Sequence, residues 1–528
     1  MKAFAELLDR LAFTPARNGK LALIERYFAD TPDPERGWAL AVLTGALSFR
    51  VPTRRILAEL LEPRVDPELY RLSRDYVGDT AETVALLWPD GGQAGAAPRL
   101  SEVIETIRTA EKAALPGLVE GWLDRLDAKG RFALLKLLTG ALRVGVSARL
   151  TRTAVARHGG VEVAEIEELW HALEAPYEDL FAWLDGRADR PDPGTRPVFR
   201  PLMLAHPVED DDWARLDPAD FLAEWKWDGI RVQVVARDDA VRLYSRAGDD
   251  ISHSFPDVTL AFRGRRAVLD GELLVVRDGE VAPFNELQQR LNRKTVTAAT
   301  VQRYPAHIRL YDILVADDED LRPLALERRR ARLEDWHGRE GPGASDLSGL
   351  IGFDDFAELE AHWRAARANG IEGLMLKRRA SPYLAGRPKG HWYKWKRAPL
   401  TLDVVLLYAQ RGSGKRSSYY SDYTFGAWRE GADGARELVP VGKAYSGFTD
   451  EELLEIDRFV RANTVERYGP VRAVKPGLVL EVAFDSVHPS SRHKSGLAMR
   501  FPRIHRIRWD KPAEEADRLE TLETLVQR

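Results

Sequence analysis

The chain has 528 residues, of which 44% are hydrophobic and 30% are charged, and its formal net charge at pH 7 is −4. This is the composition of a globular protein, and the length favours about three or four domains. The small negative charge does not indicate a nucleic-acid-binding protein, so a basic surface has to be sought region by region. The absence of cysteine excludes disulfides, thiolate zinc sites and cysteine nucleophiles.

Residues 1–190 show helical periodicity almost throughout. The N-terminal stretch from Met1 to Leu11 is amphipathic and acidic, which is not typical of a secretion signal. No later stretch is apolar enough to cross a membrane, so we expect a soluble, cytoplasmic protein. Helices are predicted over Thr53 to Leu61 and Arg131 to Leu142, and the proline-containing stretch 187–201 is predicted to be a linker.

The next region, residues 200–398, mixes strand-like and helical segments, and its most informative segment is 224–231 (EWKWDGIR). Apolar residues alternate on both sides of Asp228-Gly229, namely Phe221, Ala223 and Trp225 before it and Ile230, Val232 and Val234 after it. This pattern predicts a β-hairpin in which Asp-Gly supplies a residue with positive φ. The hairpin would hold Lys226 at a rigid sheet edge, where neighbouring cations or desolvation could make its amine a nucleophile.

Six further segments follow in order: 244–249 (YSRAGD), 269–273 (LDGEL), 310–314 (LYDIL), 371–377 (IEGLMLK), 392–396 (WYKWK) and 500–511 (RFPRIHRIRWDK). With segment 224–231, this series resembles the nucleotidyltransferase motifs of the ATP-dependent DNA ligases, and it spans most of residues 200–511. Segment 134–147 (LLKLLTGALRVGVS) resembles part of the helical DNA-binding domain of eukaryotic and archaeal ligases. A buried helix that ends at a glycine is the alternative interpretation of that segment.

The resemblance implies a multidomain α+β protein. An all-α DNA-binding domain is expected at 1–190 and an ATP-grasp-like, mixed α/β nucleotidyltransferase domain at 200–398. Residues 399–528, with short strands and Gly- and Ser-rich turns, are expected to form an OB-fold β-barrel. The chain is expected to act as a monomer that closes around nicked duplex DNA and contacts mainly its phosphates.

The implied reaction has three steps. Lys226 attacks the α-phosphorus of ATP and expels pyrophosphate, the AMP then passes to the 5′-phosphate of a nick, and the 3′-hydroxyl finally displaces AMP. Each step is a displacement at phosphorus among anionic oxygens, so the site must supply positive charge and positioning. Such sealing serves DNA repair, replication or recombination.

Two carboxylates are implied by the resemblance to serve nucleotide and metal. Glu272 is expected to contact the ribose and also to hold metal, while Glu372 is expected to bind Mg²⁺. Each lies beside a glycine in an apolar strand, where a carboxylate costs free energy unless it is paired or metal-bound. Hard oxygen ligands suit Mg²⁺, with water and phosphate completing its shell. Exposed strand ends are the alternative.

The same resemblance implies a set of nucleotide-binding residues: Glu224, Arg231, Arg246, Glu272, Tyr311, Arg387, Lys394 and Lys396. Tyr311 would stack on adenine, although a tyrosine of the sheet core is the alternative. Arg246 would contact nucleotide or 5′-phosphate, although a solvated turn arginine would look the same. Strand periodicity places Lys394 and Lys396 on one face, and two neighbouring lysines favour an anion between them.

The C-terminal segment is predicted to be a strand with a mostly basic face. The resemblance gives Arg503, Arg506, Arg508, Asp510 and Lys511 the task of orienting pyrophosphate; a solvated basic strand is the alternative. A second phosphate-binding candidate, 412–416 (GSGKR), fails as a P-loop because Ala409 replaces its first glycine and Arg416 its Ser or Thr. A contact to the DNA backbone is the expectation there.

Two rival functions share part of this pattern. An RNA ligase or a capping guanylyltransferase also uses a Lys-x-Asp-Gly nucleophile, but the long helical N-terminal region and the complete C-terminal basic segment disfavour both. A nucleic-acid-binding scaffold without activity is disfavoured because Lys226, Glu272, Glu372, Lys394 and Lys396 are all present.

Overall fold

The structure is a computed structural model of the chain. It describes all residues except 48, 50, 78, 90–94, 141, 292, 294, 366–370, 397–398, 413–417, 432–433, 492 and 527–528, and it leaves the side chains of 285 and 365 undescribed. Most of the rejected P-loop candidate therefore lies outside the described residues. The chain divides into two compact units: unit 1 comprises Met1–His158, Ala175–Glu178 and Ala398–Arg528, and unit 2 comprises Gly159–Glu174 and Asp179–Arg397.

The N-terminal part of unit 1 is helical, as predicted. Its helices are α1 (Lys2–Phe13), α2 (Arg17–Asp30), α3 (Glu35–Leu43), α4 (Thr53–Leu61), α5 (Pro67–Val77), α6 (Thr80–Leu87), α7 (Leu100–Thr109), α8 (Leu115–Arg125), α9 (Ala128–Thr139) and α10 (Ala148–Gly159). Helix α4 has the predicted bounds. Helix α9 begins three residues earlier than predicted because the Asp127 carboxylate accepts a hydrogen bond from the Gly130 amide, and it ends before Gly140, whose φ is +69°.

Unit 2 contains helices and two sheets. Its helices are α11 (Val163–Leu169), α12 (Glu178–Leu184), α13 (Pro256–Ala261), α14 (Phe284–Gln288), α15 (Ala298–Arg303), α16 (Leu326–Glu340) and α17 (Phe356–Ala365). Its strands are β1 (His206–Pro207), β2 (Phe221–Trp227), β3 (Ile230–Asp238), β4 (Ala240–Ser245), β5 (Arg265–Arg277), β6 (Glu280–Val281), β7 (Ala306–Ala316), β8 (Glu319–Asp320), β9 (Ser345–Leu347), β10 (Leu350–Ile351), β11 (Ile371–Arg378) and β12 (Trp392–Lys396).

The two sheets of unit 2 share no strand. One has the order β1-β12-β11-β2-β10, and the other has the main order β4-β3-β5-β7-β8, with β6 beside β5 and β9 beside β7. Side chains from both sheets, including Val235, Val268 and Trp392, pack together in one buried cluster. The two sheets therefore lie face to face.

The predicted hairpin at Asp228-Gly229 is wrong. Strand β2 pairs with β10 and β11, whereas β3 pairs with β4 and β5, so this short connection carries the chain from one sheet to the other. Gly229 does not have a positive φ; instead, a Cβ there would lie 2.6 Å from the Leu273 carbonyl oxygen and 2.7 Å from Cγ of Glu272. Glycine is needed because the backbone passes tightly against β5.

The C-terminal part of unit 1 is a β domain. Its elements are β13 (Leu400–Arg411), β14 (Tyr420–Glu430), β15 (Arg436–Ala444), α18 (Asp450–Ala462), β16 (Thr464–Tyr468), β17 (Val471–Val474), β18 (Val479–Phe484), β19 (Ser486–Pro489), β20 (Leu497–Arg500), β21 (Arg503–Arg508) and α19 (Leu519–Thr524). Strand β13 pairs with β14 on one side and with both β17 and β18 on the other. A buried apolar core lies beneath these strands. None of the helices in the described part of the chain is long and apolar enough to span a bilayer.

Candidate active site

The side chains of β2 alternate between two environments, as the sequence predicts. Phe221 and Ala223 are buried in an apolar cluster on one face of their sheet, and Trp225 packs against it. Glu224 and Lys226 therefore point to the opposite face, toward the second sheet. Strand β12 alternates in the same way, since Tyr393 and Trp395 join that apolar cluster while Trp392 joins the cluster between the sheets.

Lys226 lies near the end of β2 and forms an ion pair with Glu372 of β11. Ile371 pairs with Trp227 and Gly373 pairs with Lys226, so Glu372 is the extra residue of a β-bulge. A bulge redirects a side chain out of the regular alternation. Glu372 is thereby brought to the lysine amine, and its Oε2 also lies 3.6 Å from Nζ of Lys396.

Gly373 allows the lysines to come together. On β11 it pairs with Lys226 on one side and with Lys396 on the other. Its φ is +146°, and a Cβ there would collide with the carbonyl oxygen of Trp395. A larger residue would push β12 away from β11 and separate the two lysines.

A group of cations surrounds Lys394. Burial lowers the pKa of Lys394, and so do the positive charges of Lys396, Arg387, Arg246 and Lys226. Arg246 is exposed in the turn after β4, and Arg387 is exposed between β11 and β12, where its carbonyl lies 3.3 Å from Nε2 of His206. These five predicted residues, which come from three separate stretches of the sequence, share one electrostatic environment that suits a polyanion.

Glu272 lies on β5, directly opposite Arg231 of β3 and Arg309 of β7. Burial raises the pKa of its carboxyl to about 8, although Lys226 and Arg231 act in the opposite direction. Among the described residues, its carboxylate forms no hydrogen bond or ion pair. A half-buried carboxylate without a partner is a candidate cation ligand.

Arg231 is held by a buried network that the sequence did not reveal. Its Nη2 donates to Oδ2 of Asp270 over 2.8 Å and to the hydroxyl of Tyr383 over 3.2 Å, and its Nη1 donates to the Met203 carbonyl over 2.8 Å. The Tyr383 hydroxyl donates to the same Asp270 oxygen. Asp270 belongs to segment 269–273, but no pattern in the sequence pairs it with Tyr383.

Tyr311 is the extra residue of a second bulge, because Gly271 of β5 pairs with Leu310 and Asp270 pairs with Asp312. The ammonium of Lys377 lies 4.2 Å from the centre of the Tyr311 ring and 4.9 Å from that of Trp392. That ammonium also donates to Glu224 over 3.0 Å, and both partners are buried. Sequence reasoning missed Lys377, although its position directly after the apolar run Leu374–Leu376 could have indicated a buried charge.

The C-terminal basic residues lie in unit 1. Arg503 pairs with Asp485 at 3.3 Å, while Arg508 and Lys511 both pair with Asp403, at 3.2 and 2.8 Å. Arg508 also pairs with Asp510, and this contact lowers the pKa of Asp510 to about 2. Arg506 is exposed and forms no hydrogen bond or ion pair with the described residues.

The regular alternation expected of this predicted strand is interrupted. Val482 of β18 pairs with Ile504 and Glu481 pairs with Arg506, so His505 is the extra residue of a bulge. Ile504 and Ile507 are consequently both buried, and β21 ends at Arg508, before Asp510.

Comparison with known proteins identifies the family. The family model described as ATP dependent DNA ligase domain matches residues 202–396, and the one described as ATP dependent DNA ligase C terminal region matches residues 416–511. A probable DNA ligase of Koribacter versatilis is 33% identical, with 100% of this chain and 96% of that protein covered. DNA ligase 1 of Korarchaeum cryptofilum is 30% identical over 100% of this chain and 98% of its own length.

Among solved structures, the chain named Pmar-Lig_PreS3 is similar in fold, with a TM-score of 0.59, 16% identity, and coverage of 96% of this chain and 99% of that one. The predicted class is confirmed: a helical N-terminal region, a mixed α/β nucleotidyltransferase domain and a C-terminal β domain. The family models and the full-length relatives show that the chain belongs to the ATP-dependent DNA ligases, enzymes whose general activity is the sealing of nicks in DNA.

Proposed function

We propose that Lys226 is the nucleophile of this ligase and forms a covalent bond to the α-phosphorus of ATP. The observation that carries the proposal is the position of its amine, which contacts Glu372 while the cations around Lys394 lie close by. The neighbouring cations would neutralise part of the negative charge of the phosphate groups. The amine of Lys226, at the edge of this cationic pocket, can then attack the phosphorus.

The proposed adenylation step is a displacement at the α-phosphorus of ATP. The nitrogen lone pair of Lys226 forms a P–N bond, the bond from the α-phosphorus to the bridging oxygen breaks, and pyrophosphate departs with that electron pair. The amine gives up a proton to solvent. AMP then passes from Lys226 to the 5′-phosphate of the nick, and the 3′-hydroxyl displaces AMP to form the phosphodiester.

Glu272 and Glu372 are the residues we propose to hold Mg²⁺. The half-buried carboxylate of Glu272, which has no hydrogen bond or ion pair with the described residues, fits this task, and Glu372 can exchange its lysine partners for a metal. No set of three His, Asp or Glu side chains forms a metal cluster within the described residues, so water and phosphate would supply the other ligands. A bound Mg²⁺ would neutralise charge that develops on the phosphates.

Glu224, Arg231, Arg246, Tyr311, Arg387, Lys394 and Lys396 are proposed to bind nucleotide, as the resemblance implies. Arg503, Arg506, Arg508, Asp510 and Lys511 are proposed to orient pyrophosphate. Within the described residues, the guanidinium of Arg506 has no hydrogen bond or ion pair and could bind pyrophosphate directly. Arg508 and Lys511 would first have to break their ion pairs with Asp403.

We also propose a three-domain monomer, with domains at 1–190, 200–398 and 399–528, that closes around nicked duplex DNA. Within unit 1, the guanidinium of Arg411 in β13 lies 5.0 Å from the centre of the Tyr76 ring in α5. The N-terminal helices and the C-terminal β domain therefore meet, as a clamp requires.

The test is incubation with α-labelled ATP and Mg²⁺, followed by a denaturing gel. The wild-type protein should gain an acid-labile label, as a phosphoramidate does, and Lys226→Ala should gain none. The exposed Lys112 provides a matched control, and Lys112→Ala should label normally. A label that persists in Lys226→Ala, or that survives acid, would contradict the assignment.

A further inference from the structure

Tyr383 occupies a defined place beside the proposed nucleotide site. Its ring meets the Trp392 ring edge-on, with centroids 5.7 Å apart and an interplanar angle of 83°, and the guanidinium of Arg329 lies 5.6 Å from its centre. The residue is 4% exposed. These contacts fix the ring by packing alone, so the position of the ring does not depend on its hydroxyl.

The hydroxyl has a separate task. It donates to Oδ2 of Asp270 and accepts from Nη2 of Arg231, so each of the three side chains touches the other two. The bond from Nη1 of Arg231 to the Met203 carbonyl fixes the other end of the guanidinium. Together these contacts determine how the guanidinium is rotated about its long axis.

Arg231 keeps donors that these contacts do not use. A guanidinium has five N–H groups, and the structure assigns partners to three of them. Its Nε is buried and has no hydrogen-bond partner. A buried donor without a partner costs free energy. The guanidinium of Arg231, which lies opposite Glu272, is therefore suited to donate its spare N–H groups to an acceptor on a bound ligand.

We propose that Tyr383 is a positioning residue for adenylation: through its hydroxyl it orients Asp270 and Arg231 so that the spare N–H groups of Arg231 face the bound nucleotide. The inference rests on the proposed role of this site in adenylation. Small errors in the placement of such a group cost reaction rate even when the ligand still binds.

The test compares Tyr383→Phe with Tyr244→Phe. Both tyrosines belong to the same buried cluster, and Tyr244 also donates one partly buried hydrogen bond, over 2.5 Å to the Pro197 carbonyl, but within the described residues its hydroxyl forms no hydrogen bond with Arg231. Single-turnover labelling with α-labelled ATP gives the maximal rate and the apparent affinity for ATP separately. We expect Tyr383→Phe to slow the maximal rate by about tenfold, with affinity changed less than threefold. Tyr244→Phe should stay within about twofold in both.

A double-mutant cycle with Arg231→Lys identifies the route of the effect. If Tyr383 acts through Arg231, then Tyr383→Phe should slow the Arg231→Lys protein by less than about twofold. Equal slowing in both backgrounds, or equal effects of the two Tyr→Phe changes, would overturn the inference. An unlabelled wild-type protein would instead refute the proposed adenylation itself, so the two failures are distinguishable.

Discussion

The ion pair between Arg329 and Asp312 gives a stability prediction whose magnitude follows from the structure. Nε and Nη2 of Arg329 in α16 donate to the two carboxylate oxygens of Asp312 in β7 over 2.8 and 2.9 Å, and both side chains are 0% exposed. Nη1 donates to the carbonyls of Leu324 and Ser381 over 2.6 and 3.0 Å. Arg329→Met keeps much of the side-chain volume but removes all four bonds.

The cost of this change is dominated by the abandoned carboxylate. Breaking a buried ion pair by removing one partner costs about 3–5 kcal/mol, and here the Asp312 carboxylate would keep only its hydrogen bond from the Ile313 amide. The two carbonyls lose a donor as well, which adds about 1 kcal/mol each at most. We therefore expect about 5 kcal/mol, which for a folded region of some 200 residues lowers Tm by about 10–20 °C.

Thermal unfolding monitored by tryptophan fluorescence measures this effect, and the same helix provides the control. Arg332 in α16 pairs with Glu319 at 2.6 Å, but these side chains are 42% and 55% exposed. Arg332→Met should cost less than about 1 kcal/mol, since exposed ion pairs contribute little. Similar Tm shifts for the two substitutions would refute the argument from burial.

Two further predictions concern residues near the proposed site. Burial raises the pKa of Asp346, but hydrogen bonds from Arg309 and the nearby ring of His307 outweigh burial and lower this pKa to about 2. The stability that these contacts provide is therefore complete above the usual pKa of about 4 and is lost as pH falls through about 2. Because the Asp346 side chain is 39% exposed, Asp346→Asn should cost less than about 1 kcal/mol at pH 7. Thermal melts should show that the stability difference between the wild-type and variant proteins shrinks below about pH 4. A difference that stays constant with pH would contradict the cause given. Gly229→Ala should destabilise the protein by about 1–3 kcal/mol and slow ATP labelling, because the added Cβ would collide with β5. Gly352 has open space around it, so Gly352→Ala should change neither the stability nor the labelling rate. Normal labelling by Gly229→Ala would show that the backbone beside β5 can accommodate a Cβ, which contradicts this explanation.

The sequence was sufficient where the signal is local. Alternation with a period of two placed Glu224 and Lys226 on one face of β2 and Phe221, Ala223 and Trp225 on the other. It likewise separated Tyr393 and Trp395 from the lysines of β12. Helical periodicity and capping predicted the N-terminal helices, including the bounds of α4. The ordered motifs predicted the family, which the full-length relatives confirm.

The tertiary structure decided everything that depends on which strands pair. Asp228-Gly229 looks like a hairpin turn in sequence, yet it joins two sheets, because pairing with β11 and β5 outweighs the preference of two residues. The bulges that bring Glu372 to Lys226 and set Tyr311 apart arise from register between distant strands, and a period of two carries no information about register. For the same reason, the contact of Tyr383 with Asp270 and Arg231 exists only after three separate segments have packed together.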